Sequence, residues 1–320
     1  MITARALSRT FQTRTGTVEA VRGIELDVAA GEIVGFLGPN GAGKTTTLRM
    51  LTTLLVPTAG EATVAGCDLR RDPVGVRRQI GYVAQGGAAY AEALAGEELV
   101  DQARLYGLPA ARAAEQARIL FTQLDLDGLW KRTCKSLSGG QRRRLDIALG
   151  LVHSPALVFL DEPSTGLDPQ SRANLWNHIR RLREDLGTTV FLTTHYLDEA
   201  DALCDRVLVI DHGTIVAAGS PEELKRSING DAVLLTLADR AHAEDARRIV
   251  AALEDAGSPA TDGNQVQVRV PHGASVLPGL LRDLDAHGIG LAAVEVRRPT
   301  LDDVFLSVTG RSLRDDSLVA

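Results

Sequence analysis

Hydrophobic and polar positions change their period several times along the chain. Ile2 to Leu7 and Ile24 to Val28 read as short strands, separated by the polar stretch Arg9 to Thr17 and closed by Ala30-Gly31. Ile33, Val34, Phe36 and Leu37 form an apolar run of the length of a buried strand, and Thr45 to Thr52 reads as the opening of a helix. Pro57 to Gly60 breaks the chain, Ala62 to Val64 resumes as a strand, and Ile80 to Val83 is another, ending at Gln85 and the pair Gly86-Gly87. From Glu97 to about Gly150 the pattern becomes helical. Leu99, Ala103 and Tyr106 fall on one face and Ala113, Ala117, Leu120 and Leu124 on another, which predicts a helical insertion over about 87–150 between two strands of the core. Leu157 to Leu160 and Thr188 to Thr193 are the next buried strands. Beyond Ile228 the chain alternates strand Val233 to Leu237, helix His242 to Ala256, strand Gln265 to Val270, helix Ser275 to His287 and strand Leu291 to Arg297. Thr300 and Asp303 are spaced as a helix capping box. Two domains are expected, 1–227 and a small α+β domain over 228–320.

Composition narrows the uses. The 320 residues suit one domain of ordinary size and a smaller one, and 44% hydrophobic with 24% charged residues is a globular balance. A net charge of −6 gives no broad electrostatic footprint for nucleic acid, so no nucleic-acid partner is expected. Cys67, Cys134 and Cys204 are odd in number, far apart and in no metal spacing, which reads as reduced thiols. Met1 opens no basic and apolar leader, and no run approaches the ~18 apolar residues of a membrane span. A cytoplasmic chain is expected, reaching any membrane through a partner.

The chemistry concentrates at strand ends. Gly38-Pro39-Asn40-Gly41-Ala42-Gly43-Lys44-Thr45-Thr46 stands between a buried strand and a helix, the context of a phosphate-binding loop. Its glycines let the backbone N–H groups point inward at a helix N-terminus. Lys44 then reaches the β- and γ-phosphates, and the Thr45 hydroxyl can ligate Mg²⁺. Asp161 and Glu162 follow a buried strand directly, where uncompensated charge is costly. Asp161 fits a direct or second-sphere Mg²⁺ partner, and Glu162 fits the base that polarises an attacking water. Ser138 is a helix cap; after it Gly139 and Gly140 either only shape that cap or expose N–H groups as a second phosphate site. Arg142 to Arg144 reads as a solvated face. Gln85 is either a loop residue or a polar group aimed at the metal. Phe11 is either core or a platform for adenine. His195 sits at a strand end, where α/β sheets place ligand-binding groups.

Together these residues resemble the nucleotide-binding subunits of ABC transporters over 1–225. The phosphate loop, Gln85, Leu137-Ser138-Gly139-Gly140-Gln141, the strand end at Asp161-Glu162-Pro163, the loop Ser164 to Asp168 and Thr193-Thr194-His195 occur in that family's order and approximate spacing. The resemblance implies an α/β P-loop NTPase with a RecA-like core, an antiparallel β subdomain and a helical signature subdomain. It further implies ATP with Mg²⁺, a head-to-tail dimer in which Ser138, Gly139, Gly140 and Gln141 of a second copy close the site, and a separate membrane permease. Phe11 then stacks on adenine where many members have tyrosine. Glu162 becomes the general base, His195 a γ-phosphate contact, and Gln85 a link from nucleotide to membrane partner. Ala84 departs from the family, whose members in this subgroup usually have proline there, and this predicts a looser loop. The ending Arg297 to Leu306 looks like the tail of drug-exporting subunits of the daunorubicin-resistance type. The expectation is therefore an ATPase powering export of a hydrophobic, drug-like compound from the inner face of the membrane. An importer subunit, or a soluble ABC-type ATPase acting on ribosomes or nucleic acid, is the alternative.

Overall fold

A hairpin opens the chain. Strands β1 (Ile2–Thr13) and β2 (Gly16–Val28) pair antiparallel, from Ile2 opposite Val28 to Thr13 opposite Gly16. Both are longer than the apolar pattern predicted, because the largely polar stretch after Arg9 continues the ladder; backbone pairing needs no apolar side chain. The computed structural model describes residues 1–14, 16–228 and 230–310. β3 (Ile33–Leu37) is buried at all five positions, and α1 (Lys44–Leu51) follows the glycine loop. β4 (Ala59–Val64) pairs with β1, and β5 (Cys67–Asp68) with β4, giving an antiparallel sheet of order β2-β1-β4-β5. Gly60, expected to break the chain, lies inside β4. Its φ is +80°, and a Cβ there would stand 2.2 Å from the Ala6 carbonyl oxygen, so glycine serves close approach to a bulge.

α2 (Pro73–Gln79), capped by Asp72 with proline at its first position, leads into β6 (Ile80–Val83). Three α-helices then intervene before β7 (Leu157–Asp161): α3 (Ala95–Leu105), α4 (Ala110–Gln123) and α5 (Gly139–Leu151). The predicted faces hold for Leu99, Ala103, Ala113, Ala117, Leu120 and Leu124, all buried; Tyr106 instead stays partly exposed and stacks on His153, ring centroids 3.7 Å apart. α6 (Pro169–Leu186), β8 (Thr189–Thr194), α7 (Leu197–Leu203), β9 (Arg206–Asp211) and β10 (Thr214–Gly219) follow. The six-stranded sheet has the order β10-β9-β3-β8-β7-β6, parallel except for β10. Phe36, Phe191 and Phe159 form a row across β3, β8 and β7 with successive centroids 5.6 Å apart, and all are fully buried. Each such side chain contributes on the order of 1.5–3 kcal/mol through burial, which locks the three strands that carry the site.

The described residues fall into two units, one of Met1–Pro221 and one that begins at Glu222. The second starts within α8 (Pro221–Arg226) and contains β11 (Asp231–Leu237), α9 (Ala243–Ala251), β12 (Ala260–Asp262), β13 (Gln265–Val270), α10 (Gly273–Ala286), β14 (Leu291–Arg297) and α11 (Leu301–Thr309). Its antiparallel sheet runs β12-β13-β11-β14. Val233, Leu235, Val266 and Val268 alternate inward to form its own core with Ala246, Val250, Leu280 and Leu284. The capping box of Thr300 and Asp303 closes in both directions, at 3.3 Å from Asp303 N to Thr300 Oγ1 and 2.9 Å from Thr300 N to Asp303 Oδ2. No helix among the described residues is long and apolar enough to cross a membrane.

Candidate nucleotide site

Parallel strands β3, β6, β7 and β8 end beside one another, and each delivers a polar residue or loop at its C-terminal end, where open α/β sheets bind ligands. The loop from Gly38 to Gly43 leaves β3. Gly43 has φ +107°, and a Cβ there would lie 2.5 Å from the Ala20 carbonyl oxygen, so the curl of the loop against β2 requires glycine. Lys44 is 4% exposed; its Nζ donates to the Gly38 and Pro39 carbonyls at 2.7 and 3.0 Å and lies 3.5 Å from Glu162 Oε1. Burial lowers its pKa, opposed by the charges of Glu162 and Asp161. A buried ammonium beside a glycine loop at a helix N-terminus is a fixed positive charge suited to an anionic ligand. A cavity of about 200 Å³ opens here, lined by Asn40, Gly41, Lys44, Thr45, Gln85 and Glu162 among others.

β7 brings the two carboxylates. Asp161 Oδ1 accepts from Thr193 Oγ1 at 2.6 Å and from Thr45 Oγ1 at 3.3 Å. With the Gln85 amide, these hydroxyl and carboxylate oxygens are the hard donors Mg²⁺ takes. Glu162 is the hub. Its Oε2 accepts from Gln85 Nε2 at 2.9 Å and Thr165 Oγ1 at 3.2 Å, and His195 Nδ1 stands 3.3 Å away. Burial works against ionisation of Glu162, yet the imidazole of His195, the charge of Lys44 and the Thr165 hydroxyl outweigh it and hold the carboxyl below its ordinary value.

The structure thus gathers Lys44, Thr45, Gln85, Asp161, Glu162 and His195 in one place. Phe11 lies on β1 with the Arg9 guanidinium over its ring at 4.6 Å. Ser138 caps α5 as expected: its Oγ accepts from Gln141 N at 3.3 Å and its N donates to Gln141 Oε1 at 3.0 Å, a capping box closed within the helix start, while Ser138 and Gly139 remain exposed.

One reading needs correction. Arg143 is no part of a solvated face: it is 7% exposed and donates to the carbonyls of Pro163 (2.9 Å), Ala84 (2.7 Å) and Asp161 (3.0 Å). Strands β6 and β7 end there with carbonyls that the ladder no longer satisfies, and a guanidinium has enough donors for all three. Ala84 is accordingly held by its carbonyl, and the following loop is pinned again by Asp146 Oδ1, which accepts from Ala88 N at 2.8 Å and Ala89 N at 3.1 Å. Thr165, Thr193 and Asp146 have no role of their own in the sequence reading, and Arg143 has only that of a solvated face. For Arg143 a signal existed in its spacing of four and seven from buried Ile147 and Gly150.

A glycine loop, a buried lysine and a strand-end carboxylate pair on a mixed α/β fold with a helical insertion define an ATP-binding, ATP-hydrolysing cassette. The ABC transporter family matches residues 21–165, and the C-terminal domain of DrrA1-3-like ATP-binding proteins matches residues 219–309. The chain is 44% identical over 300 residues to the daunorubicin/doxorubicin resistance ATP-binding protein DrrA of Streptomyces peucetius, covering 93% of this chain and 90% of that one. It is 34% identical over 317 residues to the linearmycin resistance ATP-binding protein LnrL of Bacillus subtilis, covering 98% and 100%. A dimeric ATP-binding cassette solved in a post-hydrolysis state with ADP and Pi shares the fold, with TM-score 0.64 and 23% identity over 69% of this chain and 98% of that one. The chain belongs to the ATP-binding subunits of ABC transporters, in the daunorubicin-resistance subgroup. That membership sets aside the ribosome- or nucleic-acid-acting alternative.

Proposed function

We propose that this ATPase powers export of a hydrophobic, drug- or antibiotic-like compound through a permease on a separate chain. Residues 1–227 form the ABC nucleotide-binding domain and 228–320 an accessory domain, and the whole lies on the inner face of the membrane. ATP is held by the loop Gly38 to Thr46 with Phe11 on the adenine, and Ser138, Gly139, Gly140 and Gln141 of a second copy close over it. Lys44 neutralises the β- and γ-phosphates, and His195 contacts the γ-phosphate. Thr45, Gln85 and Asp161 would hold Mg²⁺, which supplies neutralisation of phosphate charge when bound. Glu162 takes the proton of the water that attacks the γ-phosphorus, and the bond to the bridging oxygen breaks to release ADP. The observation that carries this reading is the convergence on Glu162 of Lys44, Gln85, Thr165 and His195.

Disrupting the chain in its host should raise accumulation of daunorubicin or linearmycin, the compounds named for its relatives. Wild type should restore efflux and Lys44→Ala should not. Purified Lys44→Ala should lose on the order of 10²-fold or more in ATP turnover, since a fixed cation at the phosphates is removed, while circular dichroism should show that the chain still folds. Near-normal turnover would refute the site, and unchanged accumulation of both compounds would refute this cargo class.

A further inference from the structure

Helix α7 turns one carboxylate into the protein. Asp198 and Asp201 face solvent, but Glu199 is 0% exposed and makes no ion pair among the described residues. Its Oε1 accepts from the hydroxyl of Ser164, itself buried, and from Trp176 Nε1 on α6 at 3.2 Å; the same indole N–H lies 3.1 Å from Ser164 Oγ. Its Oε2 has no hydrogen-bond partner among the described residues. Burial raises the carboxyl pKa, opposed by the nearby Ser164 and Thr194 hydroxyls and the Trp176 N–H. A carboxyl group in such a place costs stability, and an apolar side chain of its size would fill the space without that cost. An apolar side chain could not hold Ser164.

Ser164 matters because of its neighbours in sequence. It begins the turn that leaves Glu162, with Thr165 N donating to Glu162 O at 3.3 Å and Leu167 N to Ser164 O at 3.2 Å. The adjacent hydroxyl, on Thr165, donates to Glu162 Oε2. One hydroxyl of the turn is therefore anchored inward on Glu199 while the next reaches out to the reacting carboxylate. Asp168 ends the turn by capping α6, accepting from Ser171 N at 2.9 Å, and Trp176 ties that helix back to the same anchor.

We infer that Glu199 is a positioning residue for ATP hydrolysis: by anchoring Ser164 it fixes the turn through which Thr165 holds the Glu162 carboxylate in line with the attacking water. The inference rests on Glu162 as the base. A displacement of about 1 Å at a reacting group is enough to cost up to ~10²-fold in rate, so loss of the anchor should appear in kcat.

The test uses the full-length chain. Ser164→Ala should lower kcat on the order of 10-fold with KM for ATP changed less than about twofold, the pattern of lost transition-state alignment. Glu199→Gln keeps an acceptor for Ser164 and Trp176 and should retain kcat within about twofold; Glu199→Met, of similar volume with no such acceptor, should be as slow as Ser164→Ala. The double variant Ser164→Ala/Glu199→Met should fall no further than either single one, because both cut one link. Should Glu199→Met not fold, Ser164→Ala and Glu199→Gln decide alone. A Ser164→Ala protein with wild-type kcat, or a Glu199→Gln protein as slow as Ser164→Ala, would overturn the inference. Glu162→Gln measured alongside separates the two levels: if it turns over normally the base assignment fails, whereas a slow Glu162→Gln beside a fast Ser164→Ala removes only the positioning role.

Discussion

Glu162 takes a backbone conformation that glutamate rarely adopts, with φ 44°. Such a conformation costs about 1–3 kcal/mol and persists because its surroundings over-determine it. Here Glu162 N is held by Thr193 O at 3.1 Å and Thr193 Oγ1 at 3.0 Å, and its carboxylate is held by Gln85, Thr165 and His195. Burial works against its ionisation, and His195, the charge of Lys44 and the Thr165 hydroxyl outweigh it. Since the folded pKa lies below the ordinary value, ionised Glu162 adds stability that is complete above the ordinary carboxylate range and is lost as pH falls through the folded pKa. A carbon NMR titration of its carboxyl, assigned by the signal lost in Glu162→Gln, should give a midpoint below the ordinary 4.5. Lys44→Met should move that midpoint up, because the lysine charge favours the carboxylate. A midpoint at or above 4.5 in the wild type would mean that burial outweighs the partners.

At the scale of elements, α5 joins the helical insertion to the ends of β6 and β7 through Arg143 and Asp146. Removing the guanidinium takes the donor from the carbonyls of Asp161 and Pro163 and leaves that of Ala84 with Gly87 N alone, at 3.2 Å, so Arg143→Met should cost about 3 kcal/mol in urea unfolding and slow turnover with it. A loss under about 1 kcal/mol would mean that water replaces the arginine. The reading of Arg143 as solvated shows where sequence stops being informative. The glycine loop, the cap at Ser138 and the strand-end carboxylates are legible because their chemistry is local: φ, a helix terminus, adjacent charges. Arg143 and Thr193 act through distant backbone or side-chain groups, and nothing within several residues of either names its partner. The same holds for elements. β13 (Gln265–Val270) alternates throughout and β14 (Leu291–Arg297) over its last four residues, clearly enough to be read from the chain, whereas the hairpin beyond Arg9, the two-residue β5 and the short α2 depend on pairing or packing partners that no local period reveals.

At the scale of the whole molecule, we propose that the exposed Ser138-Gly139 turn at the start of α5 and the Lys44 cavity are two halves of one site, completed head to tail by two copies. The box at Ser138 uses the side chains of Ser138 and Gln141 within their own helix, but leaves the turn facing solvent with helix-start N–H groups available to an anion. Glu162→Gln tests this arrangement, because it stops hydrolysis without emptying the site. A positioned base contributes ~10²- to 10⁴-fold, so the variant should keep ATP affinity and lose most turnover. Glutamine is nearly the same size, can still hydrogen-bond the water, and removes a negative charge beside the γ-phosphate. If two copies close over it, unhydrolysed ATP should favour that closed state over the open one and so shift the variant towards dimer. Light scattering during gel filtration should show that mass with ATP and the nucleotide-free distribution with ADP. Adding Ser138→Arg, which drives a bulky side chain against the γ-phosphate from the partner copy, should cancel the shift while leaving each chain able to bind ATP through its own loop. A dimer that survives Ser138→Arg would place the second copy elsewhere, and a Glu162→Gln protein that binds ATP tightly yet stays monomeric at high concentration would remove the shared site altogether.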